Sequence, residues 1–267
     1  MNPAGSTSSS VLALRDVSKN FSTRRGELNA VTDIRFDVRE GEFVCVVGPS
    51  GCGKSTVLNL IAGLDRPDGG SILLDGRPVD GPGPDRVVVF QEGALFPWMT
   101  VSENVGYGLK VQKVPAEELD QRVEKVLRLV HLDRFASSYI HELSGGMRQR
   151  VAIARGLVLQ PRILLMDEPF NALDTQTRDL LIEELRAIHS EIRNTVLFVT
   201  HNVREAVYLA DRVILISFRP GSVRNIFKIA LPRPRDPDNP ELEAIVRGIV
   251  GELHEEVEKA VAKEFGP

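Results

Sequence analysis

The stretch Gly48-Pro-Ser-Gly-Cys-Gly-Lys-Ser-Thr56 has residue types and spacing that could hold a polyphosphate. Glycines at 48, 51 and 53 reach backbone angles closed to other residues, so successive N–H groups can turn inward toward an anion. Lys54 would reach β- and γ-phosphates, and the Ser55 hydroxyl would ligate Mg²⁺. Far along the chain, Asp167-Glu168 closes the apolar run Ile163-Leu-Leu-Met166. Asp167 can hold Mg²⁺ through water, and Glu168 can orient a water or take its proton as it attacks a γ-phosphate. Alone, this pair reads equally as a solvated strand end. A phosphate loop in the same chain favours chemistry, because such a loop needs a magnesium carboxylate.

Gln91 and His201 are weaker candidates. Gln91 could reach Mg²⁺ or the attacking water, and His201 could donate to the γ-phosphate. A lone Gln or His after a strand is more often surface or structural. Leu143-Ser-Gly-Gly-Met-Arg-Gln-Arg150 opens a helix on a serine and two glycines. It is a plain N-cap turn or a second anion-binding helix start. A chain with one triphosphate loop has use for a second cradle only if that cradle serves another copy.

These residues need elements to carry them. Phe43 to Val47 reads as a buried strand, and Val57, Leu58, Ile61 and Leu64 recur at helical spacing. Strand, glycine turn and helix form the context that the phosphate pattern requires. Strands are also predicted over 11–17, around Phe36 and Val38, and over 71–74, 87–90, 163–166, 195–199, 213–216 and 223–231. Phe21 closes a polar stretch after the first strand. From Gln91 to about Gly156 the chain reads as all helix. It includes a capping box at Thr100-Val-Ser-Glu103 and an apolar face of Leu119, Val123, Val126, Leu127 and Val130. A further helix runs from about Thr175 to Ile192. Pro232 to Pro240 reads as a linker. Leu242, Ile245, Val246, Ile249, Val250, Leu253, Val257 and Val261 form one face of a terminal amphipathic helix, packed on the core or on a partner. Strands alternating with helices predict a mostly parallel sheet covered on both faces. Ligands bind beyond the carboxyl ends of such strands, and Lys54, Gln91, Asp167, Glu168 and His201 all follow a predicted strand.

The chain has 267 residues, 42 % hydrophobic and 26 % charged, enough for a sizeable core. Its net charge of −4, without a basic tract, points away from nucleic acid. Cys45 and Cys52 read as reduced thiols, Cys52 as a small loop filler. No apolar run approaches the ~20 residues of a membrane span. Residues 1–10 read as a disordered start without a secretory signal, so the expectation is a soluble, cytoplasmic protein.

The motifs together resemble the nucleotide-binding subunits of ABC transporters, from about Val11 to Leu231. The family's phosphate loop is matched by Gly48 to Ser55, its glutamine loop by Gln91, and its signature by Leu143 to Gln149. Its Asp-Glu pair is matched by Asp167 and Glu168, the loop after it by Asn171 to Asp174, and the switch histidine by His201. Gly83-Pro-Asp-Arg86, Val89-Phe-Gln-Glu92, Phe96-Pro-Trp98, Met147 and Leu231-Pro-Arg-Pro-Arg-Asp236 look like the ATPases of nitrate, sulfonate and taurine importers. Asn171 departs from the usual Ser or Gly, and Ile140 from a common Pro.

The resemblance implies an α/β fold with a P-loop NTPase core over 11–90 and 157–231. It implies an N-terminal antiparallel β subdomain, an inserted helical subdomain over 91–156, and a linker with C-terminal helix over 232–267. It implies an ATPase using ATP and Mg²⁺. Glu168, His201 and Gln91 would act in catalysis, with Ser55, Gln91 and Asp167 around the metal. Phe21, Gly48, Pro49, Ser50, Gly51, Cys52, Gly53, Lys54, Ser55 and Thr56 would bind nucleotide in one copy. Ser144, Gly145, Gly146 and Asp174 would do so from a second copy. Implied partners are that copy, integral membrane permease subunits and, indirectly, a periplasmic or lipid-anchored substrate-binding protein. The subunit would sit peripherally at the cytoplasmic face of the inner membrane. Trp98 is then a docking surface or local core. Soluble relatives acting on DNA or ribosomes carry a coiled-coil insert or two ATPase halves, and neither feature is present here. A regulator without turnover would not need both Glu168 and His201.

Overall fold

The computed structural model describes residues 10–23, 26–91 and 93–265. Residues 1–9 of the expected disordered start, and Glu92, lie outside them; Ser10 already belongs to the first strand. The chain forms two compact units, one running to Pro82 and resuming at Thr195, the other spanning Gly83–Asn194.

In the first unit, β1 (Ser10–Thr23) and β2 (Gly26–Arg39) pair antiparallel. With β4 (Gly69–Leu74) and β5 (Arg77–Pro78) they form a sheet of order β2-β1-β4-β5. The strand predicted to stop at Val17 continues to Thr23, so Phe21 lies inside it. Residues 18–23 are polar on both faces because that end of the hairpin is exposed, and the cross-strand ladder rather than burial makes them a strand. Gly70 is where this sheet needs a glycine: its φ is +78°, and a Cβ would lie 2.3 Å from the carbonyl oxygens of Arg15 and Asp16.

The same unit holds β3 (Phe43–Val47), whose five residues are 0 % exposed. An unbroken apolar run suits a parallel strand covered on both faces. β3 pairs in parallel with β8 (Val196–Val199) and β9 (Arg212–Ile216), and β10 (Val223–Lys228) adds antiparallel to β9. β10 ends at Lys228, short of the expected Leu231. Helix α1 (Lys54–Ala62) follows β3, and α6 (Val203–Leu209) follows β8.

The second unit contains a parallel pair, β6 (Arg86–Val89) with β7 (Ile163–Asp167). Between them run α2 (Val101–Val111), α3 (Ala116–Leu129) and α4 (Gly145–Leu157). The capping box at Thr100 and Glu103 is formed. Helix α5 (Thr175–Ile192) follows β7.

The proline-rich 232–240 segment is more firmly held than a linker. Arg235 is buried, and its guanidinium donates to the carbonyls of Val207 (2.7 Å), Tyr208 (3.0 Å) and Ala210 (2.7 Å). Arg233 donates to Leu209. Together they satisfy carbonyls left over at the C-terminal end of α6, where the helix dipole also favours a cation. Burial, with Arg233 close by, pushes the Arg235 guanidinium down to about 10. The chain then enters α7 (Pro240–Phe265), which packs on α6 through Leu242, Val246 and Ile249. The predicted apolar stripe is only half used: Val250, Val257 and Val261 are exposed. The distal half of α7 is held by charge instead.

Replacing Arg235 by Met keeps an apolar stem and removes the donors. Urea denaturation of R235M is expected to show a loss of about 2 kcal/mol, the cost of stranding buried carbonyls.

Candidate functional site

The first unit carries the phosphate loop. β3 and β8 are in parallel register from Phe43↔Val196 to Val46↔Val199, so the chain leaves both strands at one edge. Gly48 to Gly53 leave β3 there, and Thr200-His201 leave β8. Gly48 and Pro49 are buried, Ser50, Gly51 and Ser55 exposed, and Cys52 buried with its thiol pushed up by burial. This matches Cys52 as a loop filler. A Cβ on Gly48 would sit 2.7 Å from Cys52 Sγ and 2.8 Å from the Ile216 carbonyl oxygen. Gly53, at φ +100°, caps α1 without any side-chain hydrogen bond. The first turn of α1, running from Lys54 to Thr56, therefore receives no side-chain cap from Gly53, and a glycine-capped helix start of this kind suits an anion. Lys54 is 6 % exposed, and its Nζ donates to the carbonyls of Gly48 and Pro49 at 3.0 Å each. A basic side chain laid across a glycine loop that ends on a bare helix start fits a polyphosphate.

The hairpin closes on this loop. A Cβ on Gly53 would meet Val31 Cγ1 at 2.5 Å. Val31 is the ladder partner of Lys19, and Phe21 lies two residues further along that strand opposite Leu28. Phe21 is 36 % exposed, with Lys19 Nζ 5.3 Å from its ring centroid.

His201 is exposed, and the residues around it form a network that sequence reading missed. Glu205 is buried; it accepts from Thr200 Oγ1 at 2.9 Å and from Asn202 Nδ2 at 3.3 Å. Thr200 Oγ1 accepts from the Asn202 N–H at 3.0 Å, and the Asn202 side chain caps α6. His201 is thus held between two residues anchored on one carboxylate. A glutamate among Ala and Val on a helix was the available signal.

The second unit carries the carboxylates. β6 and β7 run in register from Arg86↔Ile163 to Val89↔Met166, so exposed Gln91 and half-buried Asp167 and Glu168 emerge at one edge. Glu168 has φ +44°, uncommon for a residue with a side chain and characteristic of functional strain. Its Oε2 accepts from Asn171 Nδ2 at 3.1 Å, so the departure at 171 bears directly on Glu168.

Ser144 caps α4, its Oγ accepting from the Met147 N–H at 3.3 Å. The plain N-cap reading is thus realised within one chain. Gly146 has a packing reason too: a Cβ there would lie 2.7 Å from Thr177 Cγ2 at the start of α5. The Cβ position of neighbouring Gly145 is 3.4 Å from Leu173. Asp174 caps α5, and the Thr177 N–H, at 3.0 Å, holds its carboxyl below the usual range. Ile140 occupies a single 3₁₀ turn, Ile140–Glu142. Trp98 is 69 % exposed and so is not core. Its ring lies 5.7 Å from that of Phe96, which is 4.7 Å from that of Tyr107. Arg155 stands over Phe96 while donating to the Gly93 and Ala94 carbonyls.

The sequence profile of the family described as "ABC transporter" matches residues 31–171. The chain is 49 % identical to a nitrate import ATP-binding protein, NrtD, of Synechocystis, covering 83 % of each chain. It is 45 % identical to a bicarbonate transport ATP-binding protein, CmpD, of Synechococcus elongatus, covering 84 % of this chain and 82 % of that one. Among solved structures, it is similar to a dimeric ATP-binding cassette in a post-hydrolysis state bound to ADP and Pi. That similarity has a TM-score of 0.71 and 33 % identity, over 83 % of this chain and 100 % of the other.

Glu205→Ala strands Thr200 and Asn202, and thermal and urea denaturation should show about 1–3 kcal/mol lost. Glu205→Gln still accepts one hydrogen bond and is expected to lose less.

Proposed function

The chain belongs to the ATP-binding subunits of ABC transporters, the ATPases that drive transport, and from that we propose that it powers uptake of a small oxyanion. The observation that carries the reading is the uncapped start of α1 behind Gly53, with Lys54 buried across the loop. Peptide N–H groups of the Gly48–Thr56 loop bind the β- and γ-phosphates of ATP, and Lys54 neutralises their charge. Ser55, Asp167 and Gln91 offer hard oxygen donors that suit Mg²⁺. When bound, that ion neutralises charge on the phosphate oxygens and polarises the γ-phosphorus. Glu168, its carboxylate steadied by Asn171, takes the proton of a water as that oxygen bonds to the γ-phosphorus. The bond to the bridging oxygen of ADP breaks, and inorganic phosphate leaves. His201 donates to the γ-phosphate, and Phe21 stacks on the adenine.

Ser144, Gly145, Gly146 and Asp174 act on the nucleotide held by a second copy. Only a γ-phosphate fills both cradles, so triphosphate closes the pair and hydrolysis reopens it. The helical segment 91–156 carries this second cradle together with the aromatic surface of Trp98, Phe96 and Tyr107. That surface docks the integral membrane permease subunits. No helix among the described residues is long and apolar enough to cross a membrane, and the permease holds the subunit at the cytoplasmic face of the inner membrane. Nitrate and bicarbonate, named for the two relatives, are both small planar oxyanions. A periplasmic or lipid-anchored binding protein selects among them. One name describes import and the other transport, and no observation favours the ribosome or DNA alternative.

The test has four parts. Lys54→Ala is expected to abolish Mg²⁺-dependent ATPase activity. Glu168→Gln should bind ATP, hydrolyse at least about 10²-fold more slowly, and elute as a dimer only with ATP. A monomer at saturating ATP would overturn the two-copy reading. Trp98→Ala should leave ATPase activity unchanged and lower recovery of a multi-span protein in a pull-down from detergent-solubilised membranes. Asn171→Ala, which removes its hydrogen bond to Glu168, is expected to lower kcat about threefold at unchanged KM.

A further inference from the structure

The outer side of the phosphate loop is pressed by a segment with no role in the mechanism above, the turn Ser217–Ser222 between β9 and β10. The turn is closed on itself: the Ser217 N–H donates to the Ser222 carbonyl at 2.9 Å, and the Ser222 N–H to Ser217 Oγ at 3.0 Å. It is also pinned to β2, because the Gly221 N–H donates to the Ala30 carbonyl at 3.0 Å and the Thr32 N–H to the Gly221 carbonyl at 2.8 Å. From that base it reaches the loop twice. A Cβ on Gly221 would stand 2.0 Å from the Cys52 carbonyl oxygen, so only glycine lets the two backbones touch. Arg219 Nε donates to the Gly51 carbonyl at 2.5 Å, and its Nη2 is 2.7 Å from where a Gly51 Cβ would be. The Nη2 end of the guanidinium therefore occupies the space left by the missing side chain of Gly51.

This contact has a direct consequence for the loop. A trans peptide points its C=O and N–H in opposite directions. Holding the Gly51 carbonyl outward turns the Cys52 N–H inward, where it closes a turn on the Pro49 carbonyl at 3.3 Å. Gly51 sits at φ +73°, where glycine has little intrinsic preference to keep it. An external clamp on the carbonyl supplies what the backbone lacks.

The clamp is in turn tied to the terminal helix. Glu256 of α7 is buried and accepts from the Phe218 N–H, next to Arg219, at 2.8 Å. It also pairs with Arg224 of β10 and with Lys259 at 2.6 Å. Burial pushes its carboxyl up, but Lys259, the Phe218 N–H and Arg224 outweigh that and hold it below the usual range. Arg224 further pairs with Glu255, and Asn225 Nδ2 donates to Glu252 at 2.9 Å. The distal half of α7, whose valines are exposed, is docked here and not by apolar burial.

We propose that Arg219 is a positioning residue of the phosphate loop, and that α7 sets its position through Glu256. The inference rests on the reading of Gly48–Thr56 as the nucleotide site. It makes nucleotide affinity depend on whether the C-terminal helix is docked.

The experiment titrates a fluorescent ATP analogue and measures ATPase kinetics on the full chain and on K54A, R219Q, R219K, E256Q and the R219Q/E256Q double variant. Arg219→Gln should raise Kd and KM about tenfold, the worth of one charge-assisted hydrogen bond, with kcat within about twofold. Arg219→Lys still donates to the carbonyl and should recover most of the affinity. Glu256→Gln should raise KM about threefold, and the double variant should be no weaker than R219Q alone, since both act on one contact. Wild-type affinity in R219Q, with binding lost in K54A, would overturn the proposal and leave the nucleotide reading intact. Independent, multiplying effects of the two substitutions would overturn the role of α7. A wild-type chain that binds no nucleotide would remove the nucleotide reading and this inference with it.

Discussion

A helix that starts without a side-chain cap must give its first N–H groups to something outside itself. One such helix is α1, and its cap is Gly53 at φ +100°. Much of the first unit serves this end. β3 is buried on both faces, so the point at which its chain emerges cannot drift. Val31 of the hairpin packs where a Gly53 side chain would be, and Ile216 closes on Gly48. The loop is crowded from three directions by backbone and aliphatic groups, and this crowding explains its glycines as fully as the phosphate does. A residue type demanded by both packing and ligand tolerates few replacements.

Much of this was legible in the residues. The unbroken run Phe43–Val47, the glycine spacing and the following helical period describe one strand-loop-helix unit, and the structure contains it. The alternation of strands and helices, the capping box at Thr100 and the helix from Thr175 to Ile192 also emerge as read. These are local signals, set by burial period and cap chemistry within a few residues. What was not legible is non-local. Phe21 belongs to a strand because β2 pairs with it, although Ser18 to Thr23 have no apolar face of their own. Val250, Val257 and Val261 look like core by spacing, yet each stays exposed among the described residues. Glu205 and Glu256 are charged residues on helices, yet each is buried as the acceptor at the centre of a network.

Arginine accounts for most of what was missed, and for one physical reason. Charge patterning treats Arg as half of an ion pair on a solvated face. Here guanidinium groups repeatedly bind backbone carbonyls where a helix or strand has just ended. Arg235 and Arg233 take those at the end of α6, Arg155 those of Gly93 and Ala94, Arg148 that of Leu143, and Arg219 that of Gly51. Five donors on a rigid plane can satisfy several carbonyls at once in a fixed geometry, where a lysine offers three on a rotating ammonium. Such partners leave no mark on sequence spacing, because the carbonyl belongs to any residue type.

The consequence reaches the mechanism. A catalytic loop made of glycines has little internal stiffness, so its shape is imposed by its neighbours. In the first unit these neighbours are the hairpin at Val31, the strand end at Ile216 and the clamp at Arg219. The first two are packing contacts inside the fold, from the Val31 side chain and from the backbone and side chain of Ile216. The third is a polar contact, supported through Phe218 and Glu256 by a helix whose far half is held by ion pairs and hydrogen bonds. Polar contacts of this kind exchange with water at far lower cost than buried apolar ones. Of the three supports, the one reaching the C-terminal helix is therefore the one through which the affinity of the loop can be adjusted without unfolding the core.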